Sequence, residues 1–238
     1  EGVLDLLQKE LTDMGFTCNR YLFSDTDTPD VDNLFAKIGS GAPHLCFGGH
    51  TDVVPVGDEN AWSSNPFEAT EKNGKLYGRG ASDMKSAIAA FVSAVREYLE
   101  NNEVKGTISL LITNDEEGPA INGTRKVLEE IYKNGEKIDS CLVGEPTCPN
   151  NLGEMIKIGR RGSMTTTIKV SGKQGHVAYP EWTLNPINPL TSILNKLCNL
   201  ELDKGTEDFP PSNMEIVKIA SSEGATNIVP QSSTGTFN

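Results

Sequence analysis

Residues 107–118 read Thr-Ile-Ser-Leu-Leu-Ile-Thr-Asn-Asp-Glu-Glu-Gly. The first seven form a nearly continuous apolar run of strand length, the pattern of a strand covered on both faces, and it runs straight into three acids. A second such run, 140–143, is read as another buried strand and ends in Gly144-Glu145-Pro146-Thr147; a third, 45–47, leads into Gly48-Gly49-His50-Thr51-Asp52. Helical spacing appears at 3–14 (Val3, Leu4, Leu7, Leu11, Met14), along 84–99 from a start at Asp83, and at 123–133 (Val127, Leu128, Ile131). Strand, loop and helix in alternation predict an α/β fold, a three-layer αβα domain. In such sheets ligands bind outside the carboxyl ends of the strands, so acids distant in sequence converge there.

Short β-rich runs are expected at 17–23 and 33–38, and 55–80, rich in Gly, Pro, Asn and Asp, reads as one long irregular segment. After Arg160-Arg161-Gly162 the pattern changes to alternation, then a helix at about 186–199 and a strand at 214–219. This change divides the chain into a larger domain, 1–161, and a smaller α+β domain, 162–238.

The chain of 238 residues carries 33 acidic and 21 basic side chains, a net charge of −12, which argues against nucleic acid as the main partner. No apolar run approaches the roughly 20 residues of a membrane span. Five cysteines without a C-x-x-C pair read as reduced thiols of a cytoplasmic protein. The chain starts inside an amphipathic pattern without a Met and stops soon after Ile228-Val229, so a missing piece is expected at each end.

His50 with Asp83, Glu116, Glu117 and Glu145 at the same sheet edge makes an N/O donor set suited to zinc, and a divalent ion would offset the repulsion among the carboxylates. Each has a plainer reading. His50 could donate to a loop carbonyl, Asp83 could be an N-cap, Glu116-Glu117 a solvated loop, and Glu145-Pro146 a turn. The weight rests on all four falling on one edge.

The segments 49–55 (Gly-His-Thr-Asp-Val-Val-Pro), 77–85 (Tyr-Gly-Arg-Gly-Ala-Ser-Asp-Met-Lys), 115–118 (Asp-Glu-Glu-Gly) and 144–147 resemble, in order, the motifs of the two-zinc aminoacylase and carboxypeptidase superfamily. Residues 158–163 (Ile-Gly-Arg-Arg-Gly-Ser) and 172–180 (Gly-Lys-Gln-Gly-His-Val-Ala-Tyr-Pro) resemble the branch of it that acts on N-succinyl-L,L-2,6-diaminopimelate. The resemblance implies that the smaller domain is an inserted dimerisation lid. It implies two zinc ions per subunit, with cobalt able to substitute: His50, Asp83 and Glu145 on one, Asp83 and Glu117 on the other, and Asp52 behind His50. It also implies a cis peptide at Asp83-Met84. Glu116 would be general base and acid, and His176 would reach across a homodimer to hydrogen-bond the oxyanion. Arg160, Ser163 and Asn227 would touch the small-molecule substrate; Arg161 is as well explained as a solvated hinge. The implied reaction releases succinate and L,L-diaminopimelate, for lysine and cell-wall synthesis.

Two departures stand out. Ser86 replaces a glycine common in the superfamily, and the second zinc lacks the His that a C-terminal segment normally supplies. His44 is read as a surface residue and no other candidate exists, so that ligand is expected beyond this chain. Other N-acyl substrates and a non-catalytic binding fragment are the competing readings, and retention of Glu116 counts against the second.

Overall fold

The computed structural model describes residues 2–222 and 224–238. It divides into two compact units, 1–156 and 157–238. In the first, helix α1 (Val3–Asp13) leads to strands β1 (Thr17–Asp25), β2 (Thr28–Gly39) and β3 (His44–His50). A hairpin of β4 (Thr70–Lys72) and β5 (Lys75–Tyr77) follows, then α2 (Ser86–Asn101), β6 (Thr107–Thr113), α3 (Thr124–Lys133) and β7 (Ser140–Val143). The main sheet has the order β1-β2-β6-β3-β7; β6, β3 and β7 run parallel, and the β1–β2 hairpin joins them antiparallel.

The seven residues of β6 explain the layers. Leu110 and Ile112 point into one core with Leu4 and Leu11 of α1 and Ile88, Val92 and Val95 of α2. Leu111 points the other way, into a core with Phe35, Cys46 and Val127 and Ile131 of α3. Side chains alternate along a strand, so a continuous apolar run must feed two cores, and a helix covers each. Burial pushes the Cys46 thiol up to about 11, so this cysteine is an inert core residue.

Three expectations are corrected. Strand 140–143 is not buried: β7 lies at the sheet edge, with Leu142 50% and Val143 57% exposed. His44 is not a surface residue but 3% exposed, its Nδ1 2.8 Å from the Lys137 carbonyl and its Nε2 2.7 Å from Ser109 Oγ. The 55–80 segment is not wholly irregular. Asn73 and Gly74 both have positive φ at the tip of the β4–β5 hairpin, as a two-residue Asn-Gly turn requires.

The second unit pairs β8 (Thr166–Ser171), β9 (Gly175–His176), α4 (Ile187–Cys198), β10 (Ile216–Ser221), β11 (Ile228–Val229) and β12 (Ser232–Phe237). Strands β10, β12 and β8 form an antiparallel sheet, and β9 pairs with β11. Leu190 and Leu194 of α4 pack on Phe237, Ile168 and Val170, giving this α+β unit its own core. Among the described residues no helix is long and apolar enough to cross a membrane.

Candidate metal centre

The parallel strands deliver the site. His50 ends β3 opposite Thr113 of β6, and Gly48 stands opposite Val143 of β7. The chain leaving β6 carries Asp115, Glu116 and Glu117, and the chain leaving β7 carries Glu145 two residues on. Asp83 arrives from a different element. It sits in the irregular turn 81–85 before α2, and its peptide bond to Met84 is cis. Met84 is fully buried, and its Sδ accepts from the His50 backbone N–H at 3.3 Å. Gly144 leaves room for it: a Cβ there would lie 2.9 Å from Met84 Cε and 2.5 Å from the Phe47 ring.

His50 is 1% exposed and uses its two ring nitrogens differently. Nδ1 lies 2.9 Å from the Asp52 carbonyl oxygen and 3.4 Å from Asp52 Oδ1. A carbonyl only accepts, so Nδ1 carries the hydrogen, and in the neutral ring Nε2 is left with a lone pair. Nε2 lies 3.1 Å from Asp83 Oδ1 and 3.5 Å from Glu145 Oε1. The plainer reading of His50 as a donor to a loop carbonyl thus holds for one nitrogen, while the other faces carboxylates. The N-cap reading of Asp83 does not hold: α2 starts at Ser86, with Lys85 in the cap position, not at Asp83.

Two donor sets result, His50-Asp83-Glu145 and His50-Glu116-Glu117, each with its ligand atoms within 4.8 Å of one another. Burial, then the charge of Asp83, raises the Glu145 carboxyl above the ordinary range; burial, then Glu116 and Asp83, raises Glu117. At His50 burial opposes the charged ring, but the Asp52 carbonyl and the surrounding carboxylates outweigh it and the pKa is raised. Beside burial, neighbouring carboxylates contribute to all three shifts, and a divalent cation would offset that negative charge. Imidazole and carboxylate oxygens are the donors zinc accepts, so the residues present fit such an ion.

Asp52 also organises the acids: its Oδ2 accepts the backbone N–H groups of Glu116 at 3.0 Å and Glu117 at 2.8 Å. A residue the sequence reading passed over, Asp115, does comparable work. Its buried carboxylate accepts the N–H groups of Ala120, Ile121 and Asn122 at 3.1, 2.9 and 2.8 Å, closing the loop behind Glu116 and Glu117. No local signal in the sequence marks this, since an Asp in a turn ordinarily bonds the backbone two residues on, whereas Asp115 reaches five to seven residues on.

The remaining candidates lie in the second unit. His176 and Asn227 meet across β9 and β11, with Nε2 3.3 Å from the Asn227 amide. Ser163 Oγ pairs with Asn238 at 2.9 and 3.1 Å, and Arg160 is exposed.

Residues 46–233 match the model of peptidase family M20/M25/M40. A succinyl-diaminopimelate desuccinylase of Parvibaculum lavamentivorans is 54% identical over 237 residues, covering 100% of this chain and 60% of that protein. Another of that name, from Rhodospirillum centenum, is 51% identical over 238 residues, covering 100% and 62%. The chain thus spans about three-fifths of the length of these relatives. An M20 family metallo-carboxypeptidase from Sulfolobus solfataricus shares the fold at TM-score 0.70 and 20% identity, over 98% of this chain and 64% of that one.

Proposed function

This chain belongs to peptidase family M20/M25/M40, and from that premise we propose that it serves the zinc-dependent hydrolysis of N-succinyl-L,L-2,6-diaminopimelate to succinate and L,L-diaminopimelate. The observation that carries the reaction class is the convergence of Asp83 and Glu145 on the bare Nε2 of His50, with Glu116 and Glu117 beside it. The substrate is carried over from the names of the relatives; lysine and cell-wall synthesis follow from that substrate, and a cytoplasmic setting from reading the five cysteines as reduced thiols.

His50, Asp83 and Glu145 would hold one zinc ion, and Asp83 with Glu117 a second. When bound, the ions supply Lewis acidity and a water of lowered pKa. Glu116, exposed beside the ligands, takes a proton from the attacking water and returns it to the departing amine nitrogen. Asp52 keeps His50 turned with Nε2 toward the site and ties down the backbone of Glu116. Arg160 has the planar fork that grips a substrate carboxylate, and Ser163 and Asn227 offer polar contacts. We read 162–238 as an inserted dimerisation lid in a homodimer, in which the partner's copy of residue 176 donates to the oxyanion.

The test is turnover of N-succinyl-L,L-diaminopimelate by the full-length protein after chelation and zinc restoration. Zinc-dependent turnover that falls by about 10²–10⁴ in Glu116→Gln, with metal still bound, is expected. Two bound zinc ions without turnover would reject this substrate and leave a metallohydrolase for other N-acyl compounds.

A further inference from the structure

His176 is exposed, yet both nitrogens of its ring have neighbours. Nδ1 lies 3.1 Å from the backbone nitrogen of Ala178, whose single hydrogen it accepts. A neutral imidazole has one N–H, so that hydrogen must sit on Nε2. Nε2 faces the side-chain amide of Asn227 at 3.3 Å, nitrogen to nitrogen. Two donors cannot bond, and a half-turn of the amide replaces its nitrogen by the oxygen that Nε2–H needs. The backbone holds the group together: Val177 N donates to the Asn227 carbonyl at 3.0 Å, and Ile228 pairs with His176.

We infer that the Ala178 N–H and the Asn227 amide oxygen together fix His176 as an uncharged Nε2–H donor, with Asn227 occupying the place of the oxygen that His176 serves during hydrolysis. Ala178 and Asn227 are then positioning residues for His176. The catalytic meaning rests on the oxyanion reading above, whereas the tautomer stands on the geometry of the second unit alone. An amide oxygen is a weaker acceptor than a developing oxyanion, so the exchange of one for the other favours the transition state over the resting state. A ring held with Nδ1–H would offer no donor on that side.

Nitrogen-15 histidine labelling of the chain reads this directly, because it contains three histidines and protonated and bare ring nitrogens differ widely in shift. The spectrum is recorded at pH 8.5, well above the ordinary histidine value of about 6.5. His176 is assigned by its loss in His176→Gln. His44 is the internal reference, since its Nδ1 faces the Lys137 carbonyl oxygen at 2.8 Å and carries the hydrogen there.

The expected pattern is an Nε2–H ring for His176 against the Nδ1–H ring of His44. In Asn227→Leu the tautomer is retained, because Ala178 sets it, but the Nε2 hydrogen exchanges with water about 2–12-fold faster, the worth of one hydrogen bond. A His176 ring mainly in the Nδ1–H form overturns the inference, and unchanged exchange in Asn227→Leu overturns the part given to Asn227. Failure of the oxyanion reading is separately visible as an unchanged kcat in His176→Ala of the full-length protein.

Discussion

Asp52 Oδ2 lies 2.8 Å from the backbone nitrogen of Glu117. Through this bond one residue links both sides of the centre, because the carbonyl of Asp52 accepts the Nδ1 hydrogen of His50 at 2.9 Å. Asp52→Ala keeps the carbonyl but frees the Glu116-Glu117 backbone and removes the charge facing the ring. Outer partners of this kind typically cost about 10–100-fold in metal affinity when lost. Zinc titration against a competing chelator should show that loss while urea unfolding stays cooperative; unchanged affinity would mean that the acids are held by other bonds.

The raised carboxyls give the metal-free chain a particular pH dependence. A carboxyl whose folded pKa is above its unfolded value binds more protons when folded, so stability falls as pH rises from the unfolded value, about 4.3, through the raised one. Burial, then Asp83, puts Glu145 in this class, and burial, then its neighbouring acids, Glu117. His50, also raised, contributes stability that is full below about 6.5 and is lost as pH rises through its folded value. In chelator, Glu145→Gln should therefore melt above the parent at pH 8 and level with it at pH 4. With zinc present the order at pH 8 should reverse, because one of the proposed ligands is gone. A lower midpoint in chelator at pH 8 would contradict the electrostatic account.

Much of the centre was legible in sequence because its donors sit where apolar runs stop, and a run stops where the chain leaves the sheet. The alternation of Leu110, Leu111 and Ile112 into two cores is the same information read in space. Asp83 was visible as a residue but not as geometry, since helical spacing continues through Met84 while the backbone at 83–84 is not helical. The central strand β12 was missed because it reads Ser-Ser-Thr-Gly-Thr-Phe. Its inward positions, Ser233, Gly235 and Phe237, alternate in burial but not in hydrophobicity. Packing explains the small residues: a Cβ on Gly235 would lie 2.7 Å from Leu194 Cδ1, and Ser233 Oγ donates to the Pro186 carbonyl at 2.9 Å. Such a strand is written by the helix above it.

His44 shows the opposite error, a polar residue taken as exposed because nothing nearby in sequence pairs with it. Its partners, Ser109 and Lys137, are 65 and 93 residues away. His44→Leu strands a buried hydroxyl and a carbonyl, and leaving such a group unsatisfied costs about 1–3 kcal/mol. Urea unfolding should show a loss of at least that size with zinc affinity unchanged. A surface histidine would instead give a change within about 0.5 kcal/mol.

Arg79 joins the two chain segments that carry Asp52 and Asp83. Its guanidinium lies 5.1 Å from the centre of the Trp62 ring, and its Nη2 donates to the Pro55 carbonyl at 3.3 Å. Its backbone N–H donates to Pro66 at 2.7 Å, and the Trp62 indole N–H to Val56 at 2.9 Å. Arg79 Nε is buried without a partner, so the ring face is a large part of what compensates this charge. Lysine has neither the plane to stack nor the fork to reach Pro55 from that position, so Arg79→Lys is not conservative here. A double-mutant cycle with Trp62→Leu should return a coupling of about 0.5–2 kcal/mol, the range for a cation over an aromatic face. Because Asp83 follows four residues later, the same variant should also weaken zinc binding. A coupling near zero would mean that the stack is incidental and that the Pro55 and Pro66 bonds alone hold the segment.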